Sequence, residues 1–105
     1  MIEYPDNYLT FQEMFPELIQ AHEHAGTLAR NVGPIDVKTG YLIQLAACVA
    51  LRSEGGAHSH ARRAIAAGAS SEEIYHTIAL LVDTVGFSTA AAAFSWMNDI
   101  IGTNL

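Results

Sequence analysis

A chain of 105 residues with a formal charge of −6, five Lys and Arg against eleven Asp and Glu, lacks the clustered cations that a phosphate backbone requires, which excludes a nucleic-acid partner. Half of the residues are hydrophobic and only 15% are charged. For so small a body this is a large apolar share, so part of the surface is expected to be buried against other copies of the chain.

The length suits one domain over residues 1–105. Cys48 is the only cysteine, which leaves no intrachain disulfide, Cys-x-x-Cys pair or cysteine zinc cluster and makes a reducing cytoplasm the simplest home. The N-terminus, MIEYPDNYLTFQ, has no basic start leading into an apolar run and does not read as a secretory signal. The longest apolar candidate, Tyr41 to Leu51, is interrupted by Gln44 and falls short of the ~20 residues that cross a bilayer, so a soluble protein with no membrane partner is expected.

Apolar residues recur at helical spacing and never alternate as strands do, which gives an all-α class of about six helices. Asn7 to Phe15 predicts a short first helix. Pro16 suits the first turn of a second, running to about Asn31, because its missing N–H costs nothing there. Leu18, Ala21, Ala25, Leu28 and Val32 form its expected apolar stripe, with Gln20, Glu23, Thr27 and Arg30 elsewhere.

Gly33-Pro34 ends that helix, and Asp36 caps a third from Val37 to about Arg52. Its interior, YLIQLAACVAL, is apolar nearly all round, which predicts a central helix or a subunit interface. Gly55-Gly56 is expected to break the pattern before a fourth helix over Ala57 to Ala67, stopped by Gly68. Ser70-Ser71-Glu72-Glu73 reads as a capping box opening a fifth helix with stripe Ile74, Ile78, Leu81 and Val85, ended by Gly86. Ser88 is the expected cap of a sixth, Thr89 to about Ile101, with Phe94, Met97 and Ile101 supplying bulk.

The blocks DVKTGYLIQLA, HARRAIAAGASSEEI and IALLVDTVGFSTAAAAF resemble successive segments of the carboxymuconolactone decarboxylase and alkylhydroperoxidase AhpD-like family. The resemblance covers roughly Asp36 to Phe94 and implies an all-α fold assembling as dimers, trimers or hexamers. The family's peroxidase branch uses Cys-x-x-Cys-x-x-x-His with a glutamate on the preceding helix. Matching the histidine to His60 puts Ser53 and Gly56 at the two cysteine positions and Tyr41 at the glutamate, so that chemistry is disfavoured. In the decarboxylase branch His60 again matches, while Gly56 stands at a glutamate position, Thr84 at a tyrosine and Ser88 at a proline.

His60 is therefore the leading catalytic candidate. Its imidazole can exchange a proton near neutral pH, and the small residues Ala57, Ala64 and Ala67 on the neighbouring face could leave room for a pocket. The alternative is a helix histidine hydrogen-bonded at an interface. Tyr41 is the second candidate, as a donor to an oxyanion, against a core tyrosine with its hydroxyl at the surface. Arg62 and Arg63 are candidate carboxylate-binding residues; an acid of a neighbouring subunit is the other partner open to Arg62.

Cys48 reads as a small buried hydrophobe rather than a peroxidatic nucleophile. His58 and His60, like His22 and His24, stand two apart and cannot face one metal ion from a single helix; a site assembled from different helices stays open, but no spacing argues for one. His76 at i+4 from Glu72 reads as a solvent-face pair. The expectation is a cytoplasmic homo-oligomer, trimer or hexamer, acting without cofactor or metal on a small acid as a lyase through His60. The rival is a non-catalytic binding or structural oligomer.

Overall fold

The structure, a computed structural model, describes residues 6–102. Its regular elements are α1 (Asp6–Met14), α2 (Pro16–Asn31), α3 (Val37–Ala50), α4 (Glu54–Ala66), α5 (Ser71–Ala79), α6 (Val82–Val85) and α7 (Phe87–Ile101). No strand occurs among the described residues, in agreement with the all-α expectation. The reading of the N-terminus as no secretory signal rests partly on residues 1–5, which lie outside them.

Several helix starts obey local chemistry. Asp36 accepts the Thr39 backbone N–H at 3.1 Å and its hydroxyl at 2.6 Å, occupying a donor that the first turn of α3 leaves free. At α5, Ser70 Oγ accepts from the Glu73 N–H at 3.0 Å while Glu73 accepts from the Ser70 N–H at 2.9 Å, the reciprocal box that the sequence predicts. The Glu73 carboxylate also receives Lys38 Nζ at 2.9 Å, which ties α5 to α3.

Other boundaries differ from expectation. The chain leaves α3 at Arg52, whose φ of 57° is left-handed, with Arg52 N–H bonding Val49 O and Ser53 N–H bonding Cys48 O. That bonding closes the end of a helix without needing a glycine. Gly55 and Gly56 consequently lie inside the first turn of α4, which Ser53 caps by accepting the Gly56 N–H at 3.2 Å. The expected fifth helix is interrupted at Leu80 and Leu81 and resumes as α6. Its stripe survives, with Ile74 and Ile78 buried and Leu81 and Val85 half-buried. Gly86, at φ 96°, reverses the chain directly into α7, so Ser88 falls in the first turn and caps nothing.

The core is built from i, i+3, i+4 and i+7 sets on four helices: Leu45 and Val49 of α3, Ala57, Ala61 and Ala64 of α4, Ile74 and Ile78 of α5, and Ala90, Ala93 and Met97 of α7. Every core residue of α4 is alanine, so its backbone can approach α3 and α7 closely and the bulk comes from its neighbours. Ala57 and Ala64, expected to leave space beside His60, are instead fully buried in this packing, and Ala67 is exposed.

α2 departs furthest from its predicted face. Ile19 is its only buried residue, while Leu18, Leu28 and Val32 of the expected stripe are exposed, Val32 to 79%. α2 packs mainly on α1 and only lightly on α3, which leaves much of that apolar stripe uncovered among the described residues. α3 is central along Leu45 and Val49, yet it also turns Ile43 outward.

Candidate functional site

His60 sits in the second turn of α4, half-buried. Its Nδ1 lies 2.9 Å from the carbonyl oxygen of Gly56, one turn earlier. A carbonyl oxygen can only accept, so Nδ1 carries the hydrogen, and the neutral ring keeps its lone pair at Nε2. Burial lowers the His60 pKa below the usual 6.5; the Gly56 bond opposes that shift, and the charges of Arg63, Arg30 and His22 add to it. The ring is thereby held neutral around pH 7, in the form that takes up a proton.

The Cys48 sulfur lies 3.6 Å from the same Nδ1. Because that nitrogen already bears a hydrogen directed at Gly56, it has no lone pair with which to remove the thiol proton. Burial also raises the thiol pKa. The Cys48–His60 contact therefore holds a protonated thiol beside an imidazole and makes no thiolate–imidazolium pair.

Tyr41 is covered by Arg30, a residue of α2 expected on the polar side of that helix. Arg30 places its guanidinium carbon 4.5 Å from the centroid of the Tyr41 ring and Nη1 3.5 Å from Gln44 Oε1. Tyr41 is half-buried against the core. Arg63, on α4, acts on His60 electrostatically and donates from Nε to Ser59 Oγ at 3.3 Å. Arg62 is half-buried on the same helix and is not among the groups that shift His60. The charges that act on the imidazole are those of Arg63, Arg30 and His22, and no carboxylate is among them.

Three surface grooves are lined by other residues. One, of about 310 Å³, runs along Arg30, Val32, Pro34, Ile35, Ile43 and Gln44. A second, of about 370 Å³, includes Thr39, Leu42, Glu73, His76 and Leu80. A third, of about 390 Å³, is almost wholly apolar, with Tyr75, Ile78, Val82, Phe87 and Phe94. His76 forms no ion pair with Glu72, contrary to the expected pairing, and lies along the second groove beside Glu73.

His58 turns away from His60, as their spacing requires. Its Nε2 lies 3.3 Å from Asp99 Oδ2 of α7 and 3.9 Å from Glu54 Oε2. Glu54, His58 and Asp99 are the one grouping of metal-ligand type among the described residues. Both carboxylates are more than half exposed, and the cluster accounts for itself as a tie between α4 and α7.

Residues 16–99 match the carboxymuconolactone decarboxylase family. The chain belongs to that family. Its fold is similar to the crystal structure of a carboxymuconolactone decarboxylase family protein from Legionella pneumophila in its apo form, with a TM-score of 0.77 and 24% identity over 91% of this chain and 86% of that one. At that identity the likeness concerns the fold. No curated protein matches the chain significantly.

Within a carboxymuconolactone decarboxylase family fold, the positions that the resemblance picked out fall as follows. Ser53 caps α4 and Gly56 supplies the carbonyl that orients His60, while Thr84 and Ser88 are exposed. Arg30 and Gln44 were missed. Arg30 carries one faint signal in sequence: the residues three and four away on either side are Gly26, Thr27, Gly33 and Pro34, so no acid on its own helix can pair with it.

Proposed function

We propose that this carboxymuconolactone decarboxylase-like protein is a cofactor-independent lyase acting on a small carboxylic acid, with His60 as the general acid and base. The observation that carries this reading is the Nδ1 bond to Gly56 at 2.9 Å, which fixes the tautomer and leaves Nε2 as the proton-transfer atom. In a decarboxylation the C–C bond to the carboxylate breaks, CO₂ leaves, and the electron pair stays on carbon. His60 takes up a solvent proton at Nε2 and passes it to that carbon, and the hydroxide left by water combines with the CO₂ as hydrogencarbonate. The cationic surroundings favour an acid as ligand; Arg62 and Arg63 would hold its carboxylate, and Tyr41 would donate to a developing oxyanion.

Peroxidase chemistry of the family type is disfavoured, since Ser53 and Gly56 cannot form the disulfide and Cys48 stays protonated. The same reading places the chain in the cytoplasm as a homo-oligomer, trimer or hexamer. A second reading, a non-catalytic binding or structural oligomer, draws on the buried alanines of α4, which pack helices where a pocket was expected.

The test is a panel of small carboxylic acids followed by proton NMR in D₂O. Wild-type protein should consume at least one acid and place deuterium on the carbon that carried the carboxylate. His60→Ala should slow that turnover by about 10² to 10⁴ with its helical spectrum intact. Turnover unaffected by His60→Ala would remove the catalytic role; no turnover with any acid would favour the binding oligomer.

A further inference from the structure

We propose that Arg30 is the anchor for the carboxylate of a small organic acid, with Gln44 beside it and the apolar body of the acid lying along Val32, Pro34, Ile35 and Ile43. This rests on the reading above for the class of ligand and departs from it in one respect, that Arg30 rather than Arg62 or Arg63 takes the carboxylate; binding at Arg30 does not require that the protein turn its ligand over.

Four observations converge on Arg30. It is a half-buried cation in a chain where acids outnumber Lys and Arg by eleven to five, and yet no carboxylate of the described residues lies within ion-pair distance of it. A cation withdrawn from water ordinarily takes an anion or several acceptors. Arg30 has one face on the Tyr41 ring and one long contact with Gln44, 3.5 Å, which leaves most of its five N–H donors for a ligand. A guanidinium held over a ring in this way loses less freedom when it forms a two-pronged bond with a carboxylate.

The space around it is made by glycines. A Cβ on Gly26 would lie 3.2 Å from Arg30 Nη1, and Gly40 faces the Arg30 stem at 3.9 Å. Both glycines are inside helices, where glycine costs roughly 1 kcal/mol relative to alanine, so Gly26 in particular trades helix stability for room at the guanidinium. The groove lined by Arg30 and Gln44 measures about 310 Å³, at the lower end of the roughly 300 to 1,000 Å³ usual for small-molecule sites. Apart from Arg30 and Gln44 its wall is aliphatic side chains, glycine and backbone, which suits a monocarboxylate with a short hydrocarbon or aromatic body.

The test is calorimetric titration of the intact protein with benzoate and with hexanoate at fixed ionic strength, with chloride as the control anion. Saturable binding of a carboxylate, absent with chloride, is expected. Arg30→Gln should weaken it about tenfold or more, and Arg30→Lys should restore only part, since lysine keeps the charge and loses the fork and the stack. His60→Ala should leave binding within about twofold, which separates the anchor from proton transfer: binding kept with turnover lost supports both, whereas turnover dependent on His60 with binding indifferent to Arg30 retains the first reading and removes this one. Folding of the variants does not limit the test, because in wild-type protein the Arg30 Nε–H resonance should shift on benzoate addition. No carboxylate binding above chloride, binding unchanged in Arg30→Gln, or binding abolished by Arg63→Ala with the Arg30 resonance unmoved would each overturn the assignment.

Discussion

Cys48 and Gly56 are fitted to one another: a Cβ added at Gly56 would lie 2.8 Å from the Cys48 sulfur, and equally 2.8 Å from Ser53 Oγ. The sulfur of α3 fills the space that a side chain on the first turn of α4 would need. In the peroxidase pattern that position carries a cysteine of its own, so Gly56 and Cys48 together leave one sulfur near His60 and no partner for it.

Gly56→Ala should therefore destabilise the protein. Alanine gains roughly 0.5 to 1 kcal/mol of helix propensity over glycine, but overpacking against the sulfur and the capping hydroxyl costs about 1 to 3 kcal/mol. Urea unfolding of Gly56→Ala, Cys48→Ala and the double variant checks this. The double variant should recover part of the loss, and a Gly56→Ala protein more stable than wild type would show that the sulfur moves aside freely.

Cys48 should behave as an inert thiol. Burial raises its pKa above the usual 9.0, and the imidazole nitrogen beside it, Nδ1, has no lone pair to accept its proton. Alkylation by iodoacetamide should be slow at pH 7, and dithiol-dependent reduction of an alkyl hydroperoxide should be absent. Sustained turnover abolished by Cys48→Ser would contradict the protonation state derived for this pair.

His60 gives stability a pH dependence of definite sign. Its folded pKa is lowered from 6.5, burial being the main cause, while the unfolded chain returns it to about 6.5. Between those two values the unfolded state binds more protons, so stability rises with pH. The contribution is complete above the unfolded value and is lost as pH falls through the window toward the folded one. Denaturation midpoints measured from pH 7.5 to 5 should fall, and His60→Asn should remove part of the slope; an identical slope in that variant would show that His60 titrates normally.

The fold was legible because caps and periodicity act locally: Asp36, the Ser70–Glu73 box and Gly68 mark helix ends through bonds within a few residues. The misplaced boundary at Gly55-Gly56 has the opposite origin. Arg52 takes up the left-handed turn that glycine usually occupies, and its Nη1 reaches Thr89 Oγ1 at 2.6 Å, a partner 37 positions on that no local rule reveals. The same limit applied at the site. His60 could be picked out by resemblance, but Arg30, Tyr41 and Gln44 meet only when α2 is laid on α3, and the alanine face of α4 could not declare whether it bordered a cavity or a helix.

Oligomerisation should use the apolar surfaces left open. The groove lined by Tyr75, Ile78, Val82, Phe87 and Phe94 is almost wholly apolar, and Phe87 is 72% exposed in it; an open apolar surface of this kind marks an interface. Sedimentation at micromolar concentration should report an oligomer, and Phe87→Glu should shift it toward smaller species. A folded wild-type monomer would remove the assembly from this account.

The central claim is that His60 offers a bare Nε2 at neutral pH, and long-range proton–nitrogen correlation of the imidazole tests it most directly. At pH 7 the His60 ring should show a protonated Nδ1 and an unprotonated Nε2, with imidazolium appearing only below the usual histidine range. A ring protonated at Nε2, or an imidazolium still present at pH 7, would contradict both the hydrogen bond to Gly56 and the proton-transfer role built on it.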